Sequence, residues 1–151
     1  MRAFGENQVN RRLAIVAFAM MLLVTGCREK QVVPSDADLK QFCQLALDVD
    51  QLQKYYHPEV EGRVPVVILE NQYCGRRTPS LKKFGKPVLV LSKKEIEKRN
   101  IEAYITVERA DFRKSTAKLW IEYPVEGLIV IIEYQKVGSG WIVSNHWAAE
   151  R

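Results

Sequence analysis

From residue 101 onward the apolar pattern of this chain changes to a period of two, and nothing else in it constrains the fold as strongly. Ile101, Ala103, Ile105 and Val107 alternate with Glu102, Tyr104, Thr106 and Glu108; Ala117, Leu119, Ile121 and Tyr123 alternate with Thr116, Lys118, Trp120 and Glu122. Successive side chains of a strand point to opposite faces, so this is the pattern of half-buried strands. Between the two runs, Ala110 and Phe112 put the apolar side on the other parity, which predicts a bulge or a bend. Residues 128–132 are apolar on both parities, so that strand is expected to be central and covered on both faces. Gly138-Ser139-Gly140 reads as a tight hairpin, with 141–147 returning as the last strand.

Upstream the period is helical. Ser35 has the character of an N-cap, with Asp36 and Asp38 in the first turn where the helix dipole favours anions. Leu39, Phe42, Cys43, Ala46 and Val49, continued by Leu52 and Tyr56, recur at three- and four-residue spacing and predict an amphipathic helix of about 20 residues. It should stop near His57-Pro58, because a residue before proline is pushed out of the helical region. Residues 64–69 read as a strand, with Pro65 at its start or on an edge. A second apolar run covers 87–91, and Ser92-Lys93-Lys94-Glu95 has the spacing of a capping box opening a short helix.

The expected fold class is therefore α+β: a long N-terminal helix packed on a curved antiparallel sheet that ends in a four-stranded meander. In element order this is similar to the cystatin-like and nuclear-transport-factor-2-like folds. The features that carry the likeness are the first helix, the bulged strand and the closing hairpin Tyr134-Gln135-Lys136-Val137-Gly138-Ser139-Gly140-Trp141-Ile142-Val143. Those folds include enzymes, inhibitors and plain binding modules, so the resemblance implies an architecture and no particular activity.

The N-terminal region has a different logic. Arg2, Arg11 and Arg12 precede twelve consecutive apolar residues, 13–24, and small Thr25 and Gly26 then lead to Cys27. A spanning helix needs about 20 apolar residues, and a buried helix of a cytosolic protein would carry a polar face that this run lacks. Val24-Thr25-Gly26-Cys27 resembles the lipobox of bacterial lipoprotein precursors, at the end of what reads as a secretory signal. The resemblance implies a signal peptide over 1–26, an acylated Cys27, a tether over 27–35 and one domain over 36–151. It also implies a lipid-anchored, periplasm-facing place in the cell envelope. Arg28, where an aspartate would favour inner-membrane retention, slightly favours the outer membrane. Arg11-Arg12 also raises twin-arginine export, but the flanking Asn10, Leu13, Ala14 and Ile15 match that motif poorly. With Cys27 acylated, Cys43 and Cys74 remain; an even pair in an oxidising compartment reads as a disulfide, the alternative being two buried free thiols.

Charge narrows the partners. The chain has 23 basic and 18 acidic residues, an excess too mild for nucleic acid, and an envelope location argues against it. Nine of the basic groups fall within 76–99, against Glu95 and Glu97 alone. Arg76, Arg77, Lys82 and Lys83 are therefore candidate binding residues for an anionic lipid or an acidic envelope protein. The alternative is a solubilising segment whose lysines keep a strand edge from pairing. Trp120, on the parity opposite Leu119 and Ile121, is a second candidate; with Tyr104 it would form a binding patch, or it packs against another strand or the small helix.

Catalytic motifs are few. The chain has no GxSxG elbow, no phosphate-binding glycine loop and no HExxH. His57 and His146 are its two histidines, too far apart in sequence for a recognisable zinc motif, so no metal and no cofactor is expected. His57, beside Tyr55, Tyr56 and Glu59, is either an acid–base candidate or a complement to the helix dipole. His146 is either a ligand-binding group on a concave sheet face or a half-exposed strand residue. The expected function is a non-enzymatic, lipid-anchored envelope module that binds a protein or an anionic component, of which an immunity- or inhibitor-type lipoprotein is one form. The alternative is an envelope enzyme with a helix–sheet pocket using His57 or His146 as base.

Overall fold

The structure, a computed structural model, describes residues 30–75, 78 and 80–151. The expected signal segment, Cys27, Arg28, Arg76 and Arg77 lie outside the described residues. Ser35 opens the first helix, α1 (Asp36–Leu47), through a capping box in which its hydroxyl accepts from the Asp38 amide and the Asp38 carboxylate takes the Ser35 amide. The carboxylate also accepts from Trp141 Nε1 at 2.7 Å, so the cap is fastened to the last strand. Burial alone would raise the Asp38 pKa, but the hydrogen bonds from Ser35 and Trp141 prevail and hold it below the usual carboxylate value.

The helix does not run for 20 residues. It ends at Leu47, and a single turn, α2 (Asp50–Gln53), follows after Val49 adopts an extended conformation. The apolar period continues across the break because Val49, Leu52 and Tyr56 are buried with α1 in one core. Other groups replace the lost helical bonds: the Leu47 carbonyl accepts from Gln53 Nε2 at 2.8 Å and from the Tyr56 hydroxyl at 3.0 Å. Helix-terminal carbonyls need such partners when buried. Residues 31 and 32 of the expected tether lie at the end of the main sheet, with the Val32 amide donating to the Phe112 carbonyl.

Two small sheets precede the main one. β1 (Val67–Leu69) pairs in parallel with β4 (Leu89–Leu91), and β2 (Lys82–Lys83) pairs with β3 (Lys86–Pro87) as a two-residue hairpin. The short helix α3 (Lys93–Lys98) opens on the expected Ser92–Glu95 capping box and packs Ile96 against Val67 and Leu91. Ile105 then pairs with β1 on its other side, linking this minor unit to the start of the main sheet.

That sheet is the expected antiparallel meander, in the order β5 (Thr106–Phe112), β6 (Thr116–Tyr123), β7 (Leu128–Val137), β8 (Gly140–Glu150). It is open, with β5 and β8 as edges. The phase change near Ala110 is a bulge between Val107 and Arg109, and β8 carries a second bulge opposite Glu133 and Tyr134. One face is buried under α1. There Phe42 meets Phe112, Tyr134 and Trp141 at centroid distances of 5.3, 5.0 and 4.7 Å. β7 is central, but it is covered on one face only: Leu128, Val130 and Ile132 are buried, whereas Ile129 and Ile131 on the other face are half-exposed. A disulfide joins Cys43 of α1 to Cys74 in the loop after β1. Among the described residues no helix is long and apolar enough to cross a membrane.

Two outcomes follow for stability. Reduction of the disulfide, or its replacement by two alanines, opens a loop 31 residues long and should lower unfolding free energy by about 3–4 kcal/mol; chemical denaturation of both forms checks this. Asp38, with its folded pKa depressed, stabilises above its unfolded value near about 3.9 and loses that contribution as pH falls through the lower folded value. Trp141 fluorescence should report this acid transition, and Asp38→Ala should abolish it at a cost of about 1 kcal/mol at neutral pH.

Candidate functional site

The outer face of the meander, opposite α1, brings together side chains from all four strands. The pairing registers set Arg109, Trp120, Ile131 and Trp147 in one row across β5, β6, β7 and β8. The adjacent row is Asp111, Lys118, Glu133 and Asn145. The rows are interlocked by cations on aromatic faces. The Arg109 guanidinium lies 4.6 Å from the Trp120 ring centre, while Lys118 Nζ lies 5.4 Å from Trp120 and 4.5 Å from Trp147. Each such contact is worth about 0.5–1 kcal/mol at an exposed site. Lys118 also pairs with Glu133 at 2.9 Å, which fixes its ammonium between the two indoles.

Beside these rows lies an open cleft of about 330 Å³ lined by Asp111, Arg113, Thr116, Lys118, Glu133 and Gln135. The Arg113 guanidinium donates to Asp111 at 2.9 Å and holds its carboxyl below the usual range, aided by Gln31. Asp111 is therefore an ionised acceptor at neutral pH, suited to recognition of donors and not to delivering a proton. Trp147 remains 38% exposed, so the row offers apolar contact area as well as charge.

The other expected site residues are dispersed. Trp120 is on the outer face, but Tyr104 does not join it; Tyr104 packs with Val67, Leu91 and Ile96 in the minor unit. His146 pairs across from Ile132, which puts it on the α1 side of the sheet, away from Trp120. His57 sits in an exposed turn with Nδ1 3.4 Å from Glu59 Oε1. Between α1 and the sheet, the cavity near the disulfide is about 10 Å³ and wholly apolar, and neither histidine lines it. Among the described residues no group of three or more His, Cys, Asp or Glu is placed to hold a metal ion.

The basic segment is likewise divided. Lys82 is exposed, its backbone clasped by the Gln44 side chain through bonds of 3.0 and 3.1 Å. Lys83 is buried instead. Its ammonium pairs with Asp48 at 2.8 Å and lies 5.3 Å from the rings of both Tyr56 and Phe84. A charge this buried is retained only where it is paired, so Lys83 joins the hairpin β2–β3 to the end of α1. Arg109, Lys118 and Trp147 were not singled out by sequence reasoning. The i, i+2 spacing of Lys118 and Trp120 was visible, but their neighbours depend on two bulges and on cross-strand register.

Compared with protein families, characterised proteins and solved structures, the chain matches none.

The two lysines should separate cleanly on mutation. Asp48→Ala leaves the buried Lys83 ammonium without its carboxylate and should destabilise by about 1–3 kcal/mol. Lys82→Ala should stay within about 0.5 kcal/mol of the parent, as for other surface changes. Thermal melts of both variants decide it.

Proposed function

We propose that this chain is a lipid-anchored module of the bacterial cell envelope that binds a protein partner through the outer face of its meander. The observation that carries the binding reading is the row Arg109–Trp120–Ile131–Trp147, exposed opposite the helix and stiffened by cation–π contacts. Tryptophan and arginine are the residues most often responsible for binding energy at protein interfaces, and a preorganised pair loses little entropy on docking. The neighbouring row carries both signs of charge, Asp111 and Glu133 flanking Lys118. Mixed charge favours the mosaic surface of a protein over an anionic lipid headgroup or a polyanion. The anchor rests on Val24-Thr25-Gly26-Cys27 and the apolar run before it. A small anchored domain that presents a flat recognition face suits an immunity- or inhibitor-type lipoprotein, which acts by occupying its target.

The rival reading, an envelope enzyme with a histidine base in a helix–sheet pocket, draws no support from the apolar cavity of about 10 Å³ found there.

Both halves of the proposal are testable in the bacterial host. Labelled palmitate should enter the wild-type chain and not Cys27→Ser, which should also leave the membrane fraction; incorporation into both forms would overturn the anchor. For binding, photo-cross-linking from position 116 on the outer face should give a protein adduct of defined mass. The adduct should fall at least about tenfold in Trp120→Ala/Trp147→Ala, as for loss of interface anchors, and persist in Lys82→Ala. Equal yield from all three, or cross-links to lipid alone, would overturn the binding reading.

A further inference from the structure

The two edges of the meander are treated differently by the rest of the chain. β5 is occupied at both ends. Ile105, at its entry, pairs with β1, Asn71 Nδ2 donates to the Val107 carbonyl at 3.0 Å, and the Val32 amide donates to the Phe112 carbonyl at 2.9 Å. β8 is eleven residues long, and its outward side receives Gln41 Nε2 on the Trp141 carbonyl at 3.2 Å. Beyond that point the His146 amide takes the side-chain oxygen of its own neighbour Asn145 at 3.0 Å. Among the described residues no other segment lies along it. Proteins blunt such edges with lysine, proline or a covering element. Here Gly140 through Ala149 contains no Lys, Arg, Asp, Glu or Pro.

We infer that β8 is a dimerisation edge: two copies of the chain pair β8 with β8 in antiparallel fashion about a two-fold axis, joining their meanders into one eight-stranded sheet. Three features favour a second copy as the occupant. A two-fold sets a strand against its own reverse, so any charge near the axis faces its like, and an uncharged strand escapes that penalty. Glu150, the one acidic residue of the strand, is at its far end, where Tyr55 donates a hydrogen bond to it. The apolar row of the outer face also stops at this edge while still exposed, with Trp147 at 38% and Ile142 at 49%. Both residues are on the outer face by register, Trp147 opposite Ile131 and Ile142 opposite Gln135. An axis between Ser144 and Asn145 sets Trp147 of each copy beside Ile142 of the other. An axis at Trp147 sets the two indoles side by side. Either arrangement continues the apolar row from one sheet into the next.

The inference concerns self-association, so it stands or falls without the partner proposed above. The test uses the full-length chain, purified in detergent. Light scattering corrected for detergent should give a mass that moves from monomer to dimer as concentration rises. Residue-resolved hydrogen exchange should slow at the outward-facing amides within 144–149 under dimeric conditions, with no comparable change in β5. Ala149→Lys and Ala148→Lys, both at exposed positions, should each raise the dissociation constant by about tenfold or more, because each places a lysine on the edge that must pair. Their melting temperatures under monomeric conditions should match the parent, and Lys40→Glu on the exposed side of α1 should have no effect. A monomer at every concentration, or a dimer that neither protects 144–149 nor responds to the lysine variants, would overturn the inference. So would protection of this edge that requires another protein to be present.

Discussion

Phe42 holds the molecule together. It is one residue of a three-turn helix, yet its ring meets Phe112, Tyr134 and Trp141 on three of the four strands of the meander. The next residue, Cys43, carries the disulfide to Cys74 and so ties the same turn of helix to the loop after β1. Helix, meander and minor parallel unit are therefore all fastened within about one turn of α1. The Tyr134 hydroxyl donates to the carbonyl of Phe42 itself at 3.2 Å, so the aromatic cluster also fixes the height of the helix over the sheet. Burial of Tyr134 raises its pKa well above the usual value, which keeps that hydroxyl a donor across any physiological pH.

With the helix so placed, the two faces of the meander diverge. The inner face collects the large apolar side chains and becomes core. On the outer face, apart from Gln31 bonded to Asp111, the described residues meet mainly their own cross-strand neighbours, and they satisfy one another by putting cations over indoles and pairing Lys118 with Glu133. Such an arrangement keeps tryptophans soluble without hiding them, since cationic side chains cover part of an aromatic face while staying hydrated. The same residues that make the free face stable are thus the ones that would meet a partner.

Several of these elements were legible in the sequence. Alternation located the meander strands, the parity change at Ala110 located a bulge, Ser35 and Ser92 marked helix starts, and Cys43 with Cys74 formed the bridge. The break at Asp48 was not legible, because an apolar period survives a helix break when the following turn continues along the same core. What stops α1 is a set of distant partners: Lys83 on Asp48, Gln53 and Tyr56 on the Leu47 carbonyl. The basic segment failed as a guide for a related reason. Counting charge treats each lysine as solvated, whereas Lys83 points inward and Lys82, one residue earlier on a strand, points out. Alternation within β2 decides this, but a two-residue strand is too short to recognise by its period. The candidate face was only half visible, since Trp120 announced itself by parity but its neighbours required the register of four strands.

That dependence on register explains why the bulges matter more than their size implies. If Glu108 were taken into a regular ladder in place of the bulge, Arg109 would move to the α1 side of the sheet and Trp120 would lose its cation. If Ser144 of β8 were likewise paired in a regular ladder, the pairing beyond it would shift by a residue, exchanging His146 and Trp147 between faces. An imidazole would then replace an indole on the outer row, and a tryptophan would be forced inward opposite Val130, in the row of Ile121, in a core already filled. Each bulge lies in an edge strand, where an unpaired extra residue costs least because only one neighbouring ladder is disturbed. The two irregularities therefore do one job from opposite sides: they let edge strands with core-forming inner residues still deliver Arg109 and Trp147 to the same exposed row.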